Sequence, residues 1–396
     1  MSKSNLEESK KFMMKNYGRL DVIFDHGIGS KLYDTNGKEY LDFVSGIAVN
    51  CLGHSHPVII KAITEQSAKL MHVSNIYWSE PNILLAEKLC TYSGLDMAFF
   101  CNSGTEAIEA ALKLGRKYGK IKGGEEKNII LSMENSFHGR TMGALTVTAQ
   151  PKYQKAFMPL IPGVMYANFN DIEDVRKKIN SETCAVIIEP IQGEGGIVTA
   201  DINFLKEVRE LCDKFEVVLI FDEVQCGMGR TGSLFAYEQF GVVPDIVCLA
   251  KALAGGFPIG AIIANEKVGS AFVPGDHGCT FGGNPLASAV SLAVISELVE
   301  GGVVEKVKEK GNYLIQKIND IKAKYDVIDE IRGRGLLLGI SLKVDPKAII
   351  NSCYEKGLLL TRAGENVIRL LPPLNVTIED MDLAMDILEE AIRNYK

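Results

Sequence analysis

The sequence predicts an α/β protein, with a large domain built on a mainly parallel sheet flanked by helices and a smaller α/β domain beside it. Three observations predict it. From about residue 95, short apolar runs alternate with amphipathic stretches, the β-α pattern of a parallel sheet. Several runs, such as "VVLIF" (Val217–Phe221), are apolar throughout, as strands buried on both faces must be. After "GGNP" (Gly282–Pro285) the order changes to helical patterns, then three strand-like runs, then a last helix.

Seven apolar runs supply the large sheet: Met97–Phe100, Ile129–Met133, Val164–Phe169, Ala185–Glu189, Val217–Phe221, Asp245–Ala250 and Ala261–Ala264. Helical patterns such as "DINFLKEVRELCDKF" lie between most of them, and the crossovers should be right-handed. A helical stretch follows from Leu286 to about Leu298. A second has Val303, Val304, Val307, Leu314, Ile315, Ile318 and Ile321 on one face. "LLLGISL", "GLLLT" and "VIRLL" read as strands, and a final helix starts at Ile378. "GSKLYDTNGKEYLDF" near the start reads as hairpin strands that join this smaller unit. The expected division is 1–55 with the small domain, 56–285 as the large domain, and 286–396 as the C-terminal small domain.

Bulk properties exclude several classes of function. The chain has 396 residues, 46% hydrophobic and 23% charged, with a net charge of −7. No basic face is available for a phosphate backbone, so nucleic acid is not an expected partner. No apolar run nears the roughly 18 residues of a membrane span, and the first residues lack a signal-peptide core. Nine dispersed cysteines without C-x-x-C read as small buried hydrophobes in a reducing, cytoplasmic setting.

Ligands in open parallel sheets bind beyond the carboxyl ends of the strands, so the strand ends locate the chemistry. "MAFFC" runs into Asn102, Ser103, Gly104, Thr105 and Glu106. Ser103 and Glu106 have capping-box spacing. A helix start after glycine can also hold a phosphate on its free N–H groups. By itself it is first of all a helix cap. "DIVCLA" runs into Lys251, where desolvation lowers an amine's pKa and frees it as a nucleophile. A lysine snorkelling to water is the plainer reading of that residue alone. "VVLIF" ends in Asp222, and a buried carboxylate needs a cationic or hydrogen-bonding partner. Together the three suggest pyridoxal 5'-phosphate: phosphate on the helix start, aldehyde bonded to Lys251, protonated ring nitrogen beside Asp222. Glu223 should turn away to a structural partner.

These residues sit in motifs that resemble the class III aminotransferases, pyridoxal-phosphate enzymes of fold type I. "DEVQCGMGRTG" and "AKALAGGFPIGA" carry the likeness, and "CNSGTEAIEAALKLGRKYG", "SFHGRTMGALT", "EPIQGEGG", "TFGGNP" and "RGRGLLLGI" extend it over nearly the whole chain. The resemblance implies further roles. Phe137 stacks on the cofactor ring and Gln225 bonds its hydroxyl. Thr280 reaches the phosphate of a neighbouring subunit in a homodimer with shared sites. Arg140 and Arg369 bind substrate carboxylates, for which a planar guanidinium fork is suited, and Glu194 pairs with Arg369 by turns. Ala252 after the lysine, Cys226 and Ile108 depart from the usual pattern.

The implied reaction is an ω-amino transfer from a small-molecule donor, N-acetylornithine, to 2-oxoglutarate by a ping-pong route. Ile47 stands where ornithine-specific relatives carry a tyrosine, which disfavours free ornithine. N-succinyl-diaminopimelate, succinylornithine, 4-aminobutyrate and a mutase reaction stay open. No metal is expected. His54-Ser-His56 has a possible ligand spacing, but Pro57 follows and no acidic partner lies nearby in the sequence. Gly227-Met-Gly229-Arg-Thr-Gly232 is a literal dinucleotide motif without the strand directly before it or the helix after it. His138 borders the expected cofactor without an assigned role.

Overall fold

All seven apolar runs become strands of one sheet in the computed structural model, which describes residues 9–395. Three strands come before them: β1 (Phe24–Ile28), β2 (Lys31–Asp34) and β3 (Glu39–Asp42). The large sheet comprises β4 (Met97–Cys101), β5 (Ile129–Met133), β6 (Val164–Ala167), β7 (Thr183–Ile188), β10 (Val218–Asp222), β11 (Ile246–Leu249) and β12 (Gly260–Ala264). A two-stranded hairpin, β8 (Ile191–Gln192) and β9 (Val198–Thr199), projects from the end of β7. The spatial order is β4-β12-β11-β10-β7-β5-β6. Only β12 runs against its neighbours, while β10, β11, β7, β5 and β6 pair in parallel.

Every residue of β7, β10, β11 and β12 is buried. That explains their unbroken apolar runs, since helices cover both faces. The helix Ile202–Phe215 is one such cover. Asp201 caps it by accepting from the N–H groups of Asn203 and Phe204, a bond that contributes about 1 kcal/mol. It buries Phe204, Leu205, Val208, Leu211 and Cys212, each large apolar side chain adding about 1.5–3 kcal/mol relative to exposure.

The C-terminal region forms β13 (Ile328–Arg334), β14 (Leu337–Leu342), β15 (Leu358–Leu359), β16 (Thr361–Ala363) and β17 (Val367–Leu370). An antiparallel sheet of order β13-β14-β17-β16 results. The N-terminal strands form their own sheet, to which β15 adds in parallel beside β3. Arg230, in the segment after β10 and 1% exposed, ties the large-sheet region to the C-terminal region by donating from Nη1 to the carbonyls of Leu336 and Pro372. Burial lowers its guanidinium to about 10. Among the described residues, no single helix is long and apolar enough to cross a membrane.

Candidate active site

The carboxyl ends of β4, β5, β7, β10 and β11 share one edge of the large sheet, and a cavity of about 420 Å³ opens there. Ser103, Gly104, Thr105, Phe137, Arg140, Asp222, Gln225 and Lys251 all line it. Glu194 and Arg369 form a pair at Gln225, while Thr280 and Ile47 do not line the cavity. Thr280 is exposed, and Ile47 is 39% exposed with φ of +66°.

Gly104 opens a helix that runs to Gly123, and Ser103 caps it by accepting from the Glu106 N–H. Glu106 reaches back one residue further than a capping box requires, accepting from the Asn102 N–H at 2.7 Å. A side chain at Gly104 would put its Cβ 2.7 Å from a Val224 methyl, so glycine is what lets the helix start approach β10's exit. The Thr105 hydroxyl lies 2.8 Å from that of Thr141 and accepts from its N–H.

Asp222 is 4% exposed. Its Oδ1 accepts from the Val224 N–H at 3.0 Å, and its Oδ2 lies 2.7 Å from His138 Nδ1. The His138 side chain is fully buried, and its Nε2 has no hydrogen-bond partner among the described residues. Sequence reasoning gave His138 no role, because nothing local links residues so far apart. Glu223 turns away and accepts from the N–H groups of Ala236 and Tyr237. Burial pushes its carboxyl up to about 8.

Lys251 starts a short 3-10 turn with φ of +45°, a strained conformation for a residue with a Cβ. Burial lowers its amine from the usual range, Glu194 opposes the shift, and Arg369 adds to it. Loss of hydration at the cavity wall thus works against the charged form of this amine. Arg140 is exposed, with its guanidinium 4.0 Å from the Tyr153 ring centroid and 5.4 Å from that of Phe137. It has no carboxylate partner among the described residues.

Arg369, 1% exposed, donates from Nη1 to Glu194 Oε1 and, at 3.1 Å, to Gln225 Oε1. Its Nε donates to the Thr361 hydroxyl at 3.3 Å. Burial raises the Glu194 carboxyl, but Arg369 outweighs that and holds it below the usual range. Glu189, unassigned from the sequence, also lines the cavity and is 5% exposed.

The histidine pair reads differently in three dimensions. Asp42 Oδ2 lies 2.8 Å from His54 Nε2, so an acidic partner is present after all. It comes from β3, which the sequence alone does not fold back onto His54. Among the described residues, no group of three or more metal-ligating side chains forms.

The family model for aminotransferase class III matches residues 12–392. The chain belongs to the class III aminotransferases. It is 61% identical to an acetylornithine aminotransferase of Clostridium acetobutylicum, covering 97% of this chain and all of the other. An acetylornithine aminotransferase of Methanocaldococcus jannaschii is 50% identical over the full length of both. The solved N-acetylornithine aminotransferase of Stenotrophomonas maltophilia superposes with a TM-score of 0.85 at 37% identity, covering 98% of each chain. The ornithine aminotransferase of Toxoplasma gondii superposes with a TM-score of 0.95 at 30% identity, covering 99% of this chain and 95% of the other. The fold-type-I architecture and the aminotransferase class follow from these matches.

Proposed function

We propose that the chain is an acetylornithine aminotransferase that transfers the terminal amino group of N-acetylornithine to 2-oxoglutarate. The carrying observation is the ion pair of Glu194 with buried Arg369 beside a cavity that also holds exposed, unpaired Arg140. One arginine is masked and the other is free. A donor with one distant carboxylate is thereby turned with its terminal amine inward.

Pyridoxal 5'-phosphate fits the residues present. The cavity offers a nucleophilic amine at Lys251, a buried carboxylate at Asp222 and a helix N-terminus at Gly104 and Thr105. Bound there, it supplies an aldehyde that bonds amines and a ring that withdraws electrons. Ser103, Gly104 and Thr105 would hold its phosphate, Phe137 would cover its ring, and Gln225 would bond its hydroxyl. Asp222 keeps the ring nitrogen protonated, with His138 fixing the carboxylate from behind. Lys251 Nζ, at the cavity wall, would bond the aldehyde and, when free, would hold the proton that moves. In the second half-reaction Glu194 leaves Arg369, which takes the α-carboxylate of 2-oxoglutarate.

The molecule works as a homodimer with shared sites. Exposed Thr280 serves the neighbour's phosphate, and the exposed Ile76, Tyr77 and Trp78 (82%, 67% and 86%), which follow Asn75 where it donates to the Cys279 carbonyl, supply apolar contact area. The small domain takes in residues 1–55 and 286–396, of which 1–8 and 396 lie outside the described residues, and the large domain residues 56–285. The nine unpaired cysteines fit a reducing cytoplasm.

Ornithine is the second reading, favoured by the backbone match to the Toxoplasma gondii enzyme. A steady-state comparison of acetylornithine, succinylornithine, succinyl-diaminopimelate, ornithine and 4-aminobutyrate tests the proposal. The highest kcat/KM should belong to acetylornithine. Preference for ornithine would overturn it.

A further inference from the structure

Glu189 leaves the end of β7 and is almost fully buried at the cavity wall. Its two oxygens serve two separate loops. Oε2 accepts from the Phe137 N–H at 2.9 Å, and Oε1 accepts from the Gly193 N–H at 3.2 Å. Phe137 belongs to the segment after β5. Gly193 precedes Glu194 in the turn between β8 and β9. One carboxylate therefore joins the segment that carries the ring-covering side chain to the turn that carries the gate over Arg369.

The turn meets its surroundings at two further points. A Cβ at Gly193 would fall 2.4 Å from Gln225 Oε1, so the backbone lies directly on the glutamine that also receives Arg369. The Glu194 carbonyl accepts from the Gly364 N–H at 3.0 Å, which ties the far side of the turn to the β16–β17 connection. Moving the Gly193 N–H off Glu189 shifts Glu194 relative to Arg369 and Phe137 together. Only an acceptor at both oxygens fits, because both partners are N–H donors.

We infer that Glu189 is a positioning residue, resting on the proposed Glu194 gate, that fixes the spacing between the Phe137 cover and that gate and thereby helps set the preference for ω-amino donors. It touches neither reacting carbon. Its isostere glutamine has one acceptor and one donor, so one N–H must face an NH2 group. The shape is kept and one bond is lost.

Glu189→Gln is compared with wild type as holoenzyme by two measurements. Amide hydrogen exchange should accelerate at Phe137 or Gly193 and leave the large sheet unchanged. In single turnovers, the rate ratio of acetylornithine to glutamate should fall about tenfold, the value of one lost buried hydrogen bond. Unchanged exchange at both amides, or equal losses in both half-reactions, overturns the inference. Glu194→Ala measured alongside separates it from the gate. If that variant leaves the ratio unaltered while Glu189→Gln lowers it, the gate is wrong and the Glu189 clamp acts by another route. If Glu189→Gln does not fold, exchange in the wild type decides: both amides should be slow, and fast exchange at either one refutes the clamp.

Discussion

Arg369 on β17 and Glu194 in the β8–β9 turn form an ion pair that joins the small antiparallel sheet to the carboxyl edge of the large one. A guanidinium this buried is costly without an anion, and removing one partner of such a pair costs about 3–5 kcal/mol. On the proposed function, Glu194 leaves only as a substrate carboxylate takes its place. In the proposed reaction the pair is a substrate-exchanged contact: the anion on Arg369 is the protein's own until a keto acid supplies another.

Lys251 should be indispensable. Lys251→Ala removes nucleophile and proton carrier together, and transamination should fall by several orders of magnitude. The purified wild type should be yellow, and borohydride should fix the cofactor to Lys251 alone. Recovery of the reduced adduct on a different lysine would refute the assignment.

The site is composite if Thr280 serves the neighbour. A mixed dimer of Lys251→Ala and Thr280→Ala subunits holds one doubly damaged site and one intact site. After random exchange of an equimolar mixture, half of the dimers are mixed and each keeps one intact site, so activity should rise toward about a quarter of wild type. Demonstrated exchange without recovery would mean that Thr280 acts within its own chain.

Much of this was legible in the sequence because strand ends are local. The runs into Asn102, Asp222 and Lys251 each place a polar group directly after an apolar strand, and the parallel order brings those ends to one edge. The antiparallel course of β12 was not legible, since "AIIA" is as apolar as its parallel neighbours. His138 with Asp222, and Glu189 with Phe137 and Gly193, depend on which strands adjoin, and no local pattern encodes that. Asp42 beside His54 failed for the same reason. The expected pairing of Glu194 with Arg369 came through family likeness alone, since no local pattern encodes a contact between two sheets.

The buried lysine also predicts a pH effect on cofactor-free protein. Its folded pKa lies below the unfolded value of 10.5. Between the two, the unfolded chain binds more protons, so this group adds stability as pH rises through that window. Lys251→Met should be more stable than wild type near pH 7 by urea denaturation, and the difference should shrink as pH rises toward 10. A difference independent of pH would show that the amine is not desolvated.

The masking of Arg369 by Glu194 is the central claim, and single-turnover spectra of Glu194→Ala test it most directly. Masking acts on one substrate and not on the other, so its loss must be asymmetric. The half-reaction with acetylornithine should slow more than that with glutamate, and α-amino donors should react better than in wild type. Equal losses in the two half-reactions would contradict the account and leave Arg369 a permanently open carboxylate site.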